Sequence, residues 1–217
     1  IICACADVSR GALADALRDG CRTPADLAQR TGASSVCGAC APRLAELCGR
    51  SDWTPLVCTS ITSLAPDVRA FTLAPLSNKL TPFAAGQHVV LQAQIEGTWI
   101  QRPYTLSSPG GNTGHYEITV KREPLGLFSN WMFDHMAENE LLQVSSPQGH
   151  FHLEAENRRP VLCFVAGIGV TPALSMARSL AFDQLDRRLH VDYCAPGKDD
   201  LVYLSELLGL AEAQPNI

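Results

Sequence analysis

The spacing of apolar positions changes twice along the 217-residue chain, and the changes divide it into three. In the first fifty residues apolar side chains recur at helical spacing between strong stop signals. Ser9 can cap a helix that ends at Gly20, and Thr23-Pro24 supplies a cap and a first-turn proline for a second helix ending near Gly32. A third helix is expected after Cys37, with Leu44, Leu47 and Cys48 on one stripe. The period then shortens. Residues 56–63, 69–73, 88–95, 100–106, 116–121 and 142–145 are short runs rich in β-branched or apolar residues, separated by Gly, Pro and Asn, and they predict a six-stranded antiparallel β-barrel. Beyond residue 160 a buried-strand run at 161–166, a helix, a second strand at 189–193 and a helix at 201–208 predict a partial α/β lobe. The expected domains are residues 1–50, 53–157 and 158–217, with Gly49-Arg50-Ser51-Asp52 as the linker between the first two.

Chemistry enters at Arg102-Pro103-Tyr104-Thr105-Leu106-Ser107-Ser108, near the end of a predicted strand. Strand alternation puts Arg102 and Tyr104 on one face, where a guanidinium can clamp a phosphate and a phenol can cover an isoalloxazine ring. Thr105 falls beside the ring, its hydroxyl and N–H suited to the flavin N5 edge. Taken alone, the tetrapeptide also suits an ordinary strand with a surface Arg. Two later motifs shift that balance. In Val120-Lys121-Arg122-Glu123-Pro124-Leu125-Gly126-Leu127-Phe128-Ser129 a strand ends, Gly126 relaxes the turn and Ser129 is placed to cap a helix running to Asp134 or beyond, with Lys121 beside it as a further cofactor contact. A helix N-terminus of that kind suits a pyrophosphate. The strand at 161–166 runs into Gly167-Ile168-Gly169-Val170-Thr171-Pro172 and a helix, so a dinucleotide can approach the backbone at Gly167, Gly169, Thr171 and Pro172.

On these three motifs, in this order over roughly 70 residues, the chain from about Trp53 onward resembles the ferredoxin-NADP reductase superfamily, in particular the reductase portions of flavohaemoglobins and oxygenase reductases. The family's Arg-Pro-Tyr-Ser is present with Thr105 for the commoner Ser. The resemblance implies FAD on the barrel and NADH or NADPH on a Rossmann-like lobe, with Pro147-Gln148-Gly149-His150-Phe151 closing the barrel and residues 156–160 crossing to the lobe. Two parallel strands do not complete a doubly wound sheet, and the family's later Cys-Gly-Pro is missing. With no initiator Met at Ile1, the sequence reads as part of a longer polypeptide.

Cys3-Ala4-Cys5 and Cys37-Gly38-Ala39-Cys40, 31 residues apart, form the second constellation and predict a four-thiolate metal site. Such a set suits structural zinc as well as an iron-sulfur cluster. A disulfide is disfavoured by the tight C-x-C geometry, and six Arg against five Asp and Glu in residues 1–50 give no face for nucleic acid. With the surrounding Thr31-Gly32-Ala33 and Ala41-Pro42, the segment resembles the bacterioferritin-associated ferredoxin type of domain. That resemblance implies a [2Fe-2S] cluster on Cys3, Cys5, Cys37 and Cys40. Similar domains in assimilatory nitrate and nitrite reductases imply a fused or separate nitrate or nitrite reductase as the partner, with a molybdenum or sirohaem domain upstream or a ferredoxin domain downstream.

The other thiols, Cys21, Cys48, Cys58, Cys163 and Cys194, are expected to be small core residues. His88 reads either as a flavin neighbour or as a strand-end histidine. His150 and His152 lack a third ligand for a metal. Composition sets limits: 46% apolar and 18% charged residues describe a folded globular chain, a net charge of −5 weighs against nucleic acid, and no apolar run reaches membrane-spanning length. Nine cysteines without a secretory segment suit a cytoplasmic setting. The expected activity is NAD(P)H oxidation, with electrons passing through FAD and the cluster to the partner. Lys198 can meet a 2′-phosphate, but Asp199 and Asp200 beside it leave NADH and NADPH both open. The rival readings are a non-catalytic, zinc-stapled assembly module and a reductase serving a haem or oxygenase partner. No residue is singled out as catalytic.

Overall fold

A computed structural model describes all residues except 1, 22, 48–52, 77–79, 112, 155 and 184–185, together with the side chains of 10, 18, 45 and 46. The linker at 49–52 and Cys48 therefore lie outside the described residues.

The N-terminal unit is helical, as its punctuation predicts. Helix α1 (Arg10–Arg18) is capped by Ser9 Oγ, which accepts from the Ala12 N–H. Helix α2 (Pro24–Thr31) has a reciprocal capping box between Thr23 and Asp26 and ends at Gly32 in the left-handed conformation, φ 75°. Helix α3 (Ala41–Leu47) follows the second cysteine pair. Their apolar faces meet in a small core that includes Leu13, Ala16, Leu27, Ala33 and Leu44.

Six strands follow: β1 (Thr54–Ala65), β2 (Val68–Pro75), β3 (His88–Ile95), β4 (Thr98–Thr105), β5 (Tyr116–Lys121) and, after helix α4 (Leu127–His135), β6 (Leu141–Val144). They form one antiparallel sheet in the order β4-β3-β6-β1-β2-β5. Inward residues such as Leu56, Phe71, Leu73, Leu91, Ile118 and Val120 fill a core closed over by Phe128 and Met132 of α4.

The sheet is not a closed barrel. Among the described residues its edge strands β4 and β5 are joined only by an isolated bridge between Leu106 and Ile118. The reason lies just past Thr105. There the chain leaves the β4 ladder: Ser107 donates its N–H to Glu117 O and its Oγ to the Glu117 carboxylate, while Ser108 Oγ accepts from the Glu117 N–H. The Ser107 N–H to Glu117 O bond belongs to that isolated bridge, but the Glu117 N–H is taken by a side chain and cannot carry the pairing further.

The last lobe contains parallel strands β7 (Val161–Ala166) and β8 (Leu189–Cys194), a 3-10 turn at Gly167–Val170, and helices α5 (Thr171–Phe182) and α6 (Leu204–Ala213). Helix α6 begins three residues later than the pattern suggests. Lys198–Asp200 forms a 3-10 turn, in which Asp200 accepts from the Gly197 N–H and the Leu201 N–H bonds Lys198 O. Cys58 and Cys163 are buried and Cys21 half-buried, as expected of core thiols. Cys194 is exposed, because the outward positions of β8 are uncovered. Among the described residues no helix is long and apolar enough to cross a membrane.

Candidate functional site

Reciprocal hydrogen bonds between Cys3 and Val8 fold the first loop back on itself, with Asp7 at φ 48° making the turn. This brings the two cysteine pairs together. Cys3 Sγ lies 3.5 Å from Cys5 Sγ, and Cys5 Sγ lies 3.3 Å from Cys37 Sγ. Cys40 is electrostatically coupled to Cys3, so the order along the set is Cys40, Cys3, Cys5, Cys37. Cys3 and Cys40 are buried while Cys5 and Cys37 face solvent. Burial resists ionisation of Cys3, but hydrogen bonds from the Ser34 and Ala6 backbone and from the thiols of Cys40 and Cys5 outweigh it and bring Cys3 down to about 7. Cys40 is pushed up to about 11 by burial and by Cys3. One soft thiolate near neutral pH, beside the thiols of Cys5 and Cys40 and with Cys37 beyond Cys5, is a donor set that suits iron-sulfur ligation. Among the described residues no three His, Cys, Asp or Glu side chains are spaced to hold a single metal ion.

Arg102, Tyr104 and Thr105 lie at the C-terminal end of β4. Arg102 is exposed, its Nη1 donating to Gln101 O, and Tyr104 on the same face is half-buried, its ring 6.0 Å from that of Phe128. Burial raises the Tyr104 phenol to about 12, so it stays protonated throughout the neutral range. Thr105 pairs with His88 across the β3–β4 ladder. At the turn before α4 the N-cap is Gly126, and no side chain caps the helix. Ser129 lies inside the first turn instead. Its Oγ accepts from the Glu123 N–H and donates to Gly126 O, which rigidifies the turn and leaves the helix N-terminus uncapped. Lys121 pairs with Asp67 at 3.7 Å, on the β1–β2 turn. These features fit a phosphate-bearing aromatic cofactor: an exposed guanidinium, a protonated phenol backed by a second ring, and an uncapped helix start.

Gly126 has no room for a side chain. A Cβ there would lie 2.5 Å from Ser129 Oγ and 2.8 Å from Glu123 Cβ. Gly126→Ala is expected to deform the turn and weaken FAD retention about tenfold, following the roughly 1–3 kcal/mol typical of overpacking. Equilibrium dialysis against free FAD measures it, and unchanged retention would remove the turn from the site.

In the third lobe Gly167 adopts φ 49°, and Pro172 stands in the first turn of α5, as its sequence predicts. Thr171 is buried, its hydroxyl bonded at 3.4 Å to Ile168 O. The lobe is pinned to the sheet by contacts the sequence did not disclose. Arg178 of α5 donates to Ser107 O and Glu117 of β5 and makes a two-pronged bond to Glu206 of α6. Burial favours loss of the Arg178 proton, but Glu206 and Glu117 outweigh it and hold the guanidinium charged well above its ordinary range. Ser175 Oγ donates to Ser108 O, and Ser179 Oγ accepts from the Gly110 N–H. The Thr119 hydroxyl meets the Tyr203 hydroxyl at 2.7 Å.

This arrangement matches known proteins in two segments. Residues 1–49 match the BFD-like [2Fe-2S] binding domain, and residues 55–153 match the oxidoreductase FAD-binding domain. The chain is a module that joins a BFD-like [2Fe-2S] binding domain to an oxidoreductase FAD-binding domain. The module is 30% identical over 175 residues to a flavohemoprotein of Bordetella pertussis, covering 78% of this chain and 44% of that protein. It is 33% identical over 163 residues to the glycine betaine monooxygenase reductase subunit of Pseudomonas aeruginosa, covering 73% and 43%. Among solved structures, phthalate dioxygenase reductase superposes with a TM-score of 0.63 at 30% identity, over 71% of this chain and 47% of that one. The module thus spans under half the length of these relatives.

Proposed function

We propose that the module takes electrons from NAD(P)H and passes them through FAD to a [2Fe-2S] cluster held by Cys3, Cys5, Cys37 and Cys40, and from there to a nitrate or nitrite reductase centre, fused or separate. The observation that carries the relay is the convergence of three regions on one cavity of about 320 Å³, lined by Cys37 and Gly38 of the cluster loop, His88 and Thr105 of the sheet, Gly149, and Pro172 of the third lobe. When bound, FAD converts a two-electron hydride donor into a source of single electrons, which a [2Fe-2S] cluster can carry. The residues of the chain bind and orient. Arg102 and the Gly126–Ser129 turn would hold the phosphates of FAD, and Tyr104 and Thr105 would hold its ring. The backbone from Gly167 to Pro172 receives the nicotinamide nucleotide, and Lys121, paired with Asp67, lends positive charge near the phosphates.

The BFD-like domain supports a nitrogen-oxyanion reductase as the acceptor. A second reading, an oxygenase acceptor, is favoured by the likeness to the two oxygenase reductases. The zinc-stapled alternative is opposed by the match of residues 1–49 to a [2Fe-2S] family.

Anaerobic absorbance titration with NADH and, separately, NADPH tests the relay. Flavin and cluster bands that bleach together with one nucleotide support it, whereas a colourless, zinc-containing protein overturns it. Reoxidation of the reduced protein by a nitrate or nitrite reductase, set against an oxygenase component, then decides the acceptor.

A further inference from the structure

His88 opens β3, and its ring lies between two loops that come from different parts of the chain. Its backbone is fixed on both sides, by reciprocal bonds with Gln148 and by pairing with Thr105. The ring packs against two glycines so closely that neither tolerates a side chain. A Cβ on Gly38 would lie 2.6 Å from His88 Nε2, and a Cβ on Gly149 would lie 2.9 Å from Nδ1. Gly38, at φ 72°, is the first of the two residues between Cys37 and Cys40. The Nε2 atom is buried and has no hydrogen-bond partner among the described residues. A buried imidazole nitrogen without a partner costs about 1–3 kcal/mol, which selection for stability alone would not retain.

We infer that His88 is the positioning residue of the flavin-to-cluster junction: it clamps the Cys37–Cys40 loop against the strand bearing Thr105, and its free Nε2 serves the cluster side of the cavity. This rests on the proposed FAD and cluster reading and adds to it the residue that joins the two centres. His88 itself is neither oxidised nor reduced. A hydride would bring two electrons and one proton; a cluster there would take the electrons one at a time, handing the first to the acceptor before the second, and the proton would leave to solvent.

His88→Phe keeps a ring in the slot and removes both nitrogens, and His88→Gln restores a polar group of similar reach. Rapid mixing of the complete protein with NADH or NADPH separates flavin bleaching from cluster bleaching, while iron content and the cluster's midpoint potential and EPR spectrum are measured independently of turnover. The expected result for His88→Phe is unchanged iron and flavin content, an unchanged hydride step, a shifted cluster potential and cluster bleaching slowed at least about tenfold, with substantial recovery in His88→Gln. Cluster bleaching at the native rate with an unshifted potential would overturn the inference, as would equal slowing of both steps. Absence of iron or flavin from the unmutated protein would instead overturn the underlying reading, so the two failures are distinguishable.

Discussion

Cys37→Ser is expected to strip the protein of iron and of cluster absorption while leaving the flavin in place and reducible by NAD(P)H. The side chain of Cys37 is exposed and lies 3.3 Å from that of Cys5, so the substitution opens no cavity in the small helical core and removes little but a soft ligand. Outer hydrogen-bond partners alone shift metal affinity by about 10- to 100-fold, so losing a direct thiolate is expected to cost at least about 100-fold. Cys5→Ser should behave alike. Cys3→Ser and Cys40→Ser are less clean, because both positions are buried and a hydroxyl there also perturbs packing. Iron analysis with visible absorbance on the purified variants checks this. Full iron retention in the Cys5→Ser, Cys37→Ser double variant would exclude the assigned ligand set, and zinc in its place would favour a structural role.

The thiol set was legible because its signal is local: C-x-C and C-x-x-C sit at loop ends, and capped helices between them leave few ways to connect the two. The strands at 88–95, 116–121 and 161–166 were legible to the residue for a similar reason, their alternation or apolar run ending at Gly, Pro or a charge. Closure of the barrel was not legible, because it depends on whether the Glu117 N–H bonds a backbone carbonyl or the Ser108 hydroxyl, and a hydroxyl gives no periodicity to read. Ser129 shows the same limit. Its place after Gly126 suited a cap, yet the backbone starts the helix at Leu127, and the hydroxyl is spent tying Glu123 to Gly126. The role of His88 needed Gly38 and Gly149 brought against its ring from 50 and 61 residues away, a coincidence of tertiary structure that no local pattern encodes.

Arg178→Met is expected to loosen the third lobe from the sheet and to cost about 1–2 kcal/mol, below the range for a fully buried ion pair because the Glu206 side chain is 38% exposed. The expectation follows from what the substitution leaves behind. Glu117 and Glu206 both bond Arg178 at 2.6 Å, so without it two carboxylates face one another across the α5 junction and Ser107 O loses a donor. Repulsion and desolvation then act together. The sequence pattern gave no sign of this residue, because Arg178 lies on a helix where an arginine reads as a solvated face. If the carboxylates cause the loss, Glu117→Gln and Glu206→Gln added to Arg178→Met should recover much of it, whereas a packing defect would not respond. The lobe also carries the Gly167–Pro172 segment, so a loosened lobe should slow flavin reduction by NAD(P)H while leaving FAD content and cluster loading unchanged. Thermal unfolding followed beside stopped-flow flavin bleaching measures both effects. A variant with native stability and a native hydride step would show that the Arg178 network does not hold the two lobes in register.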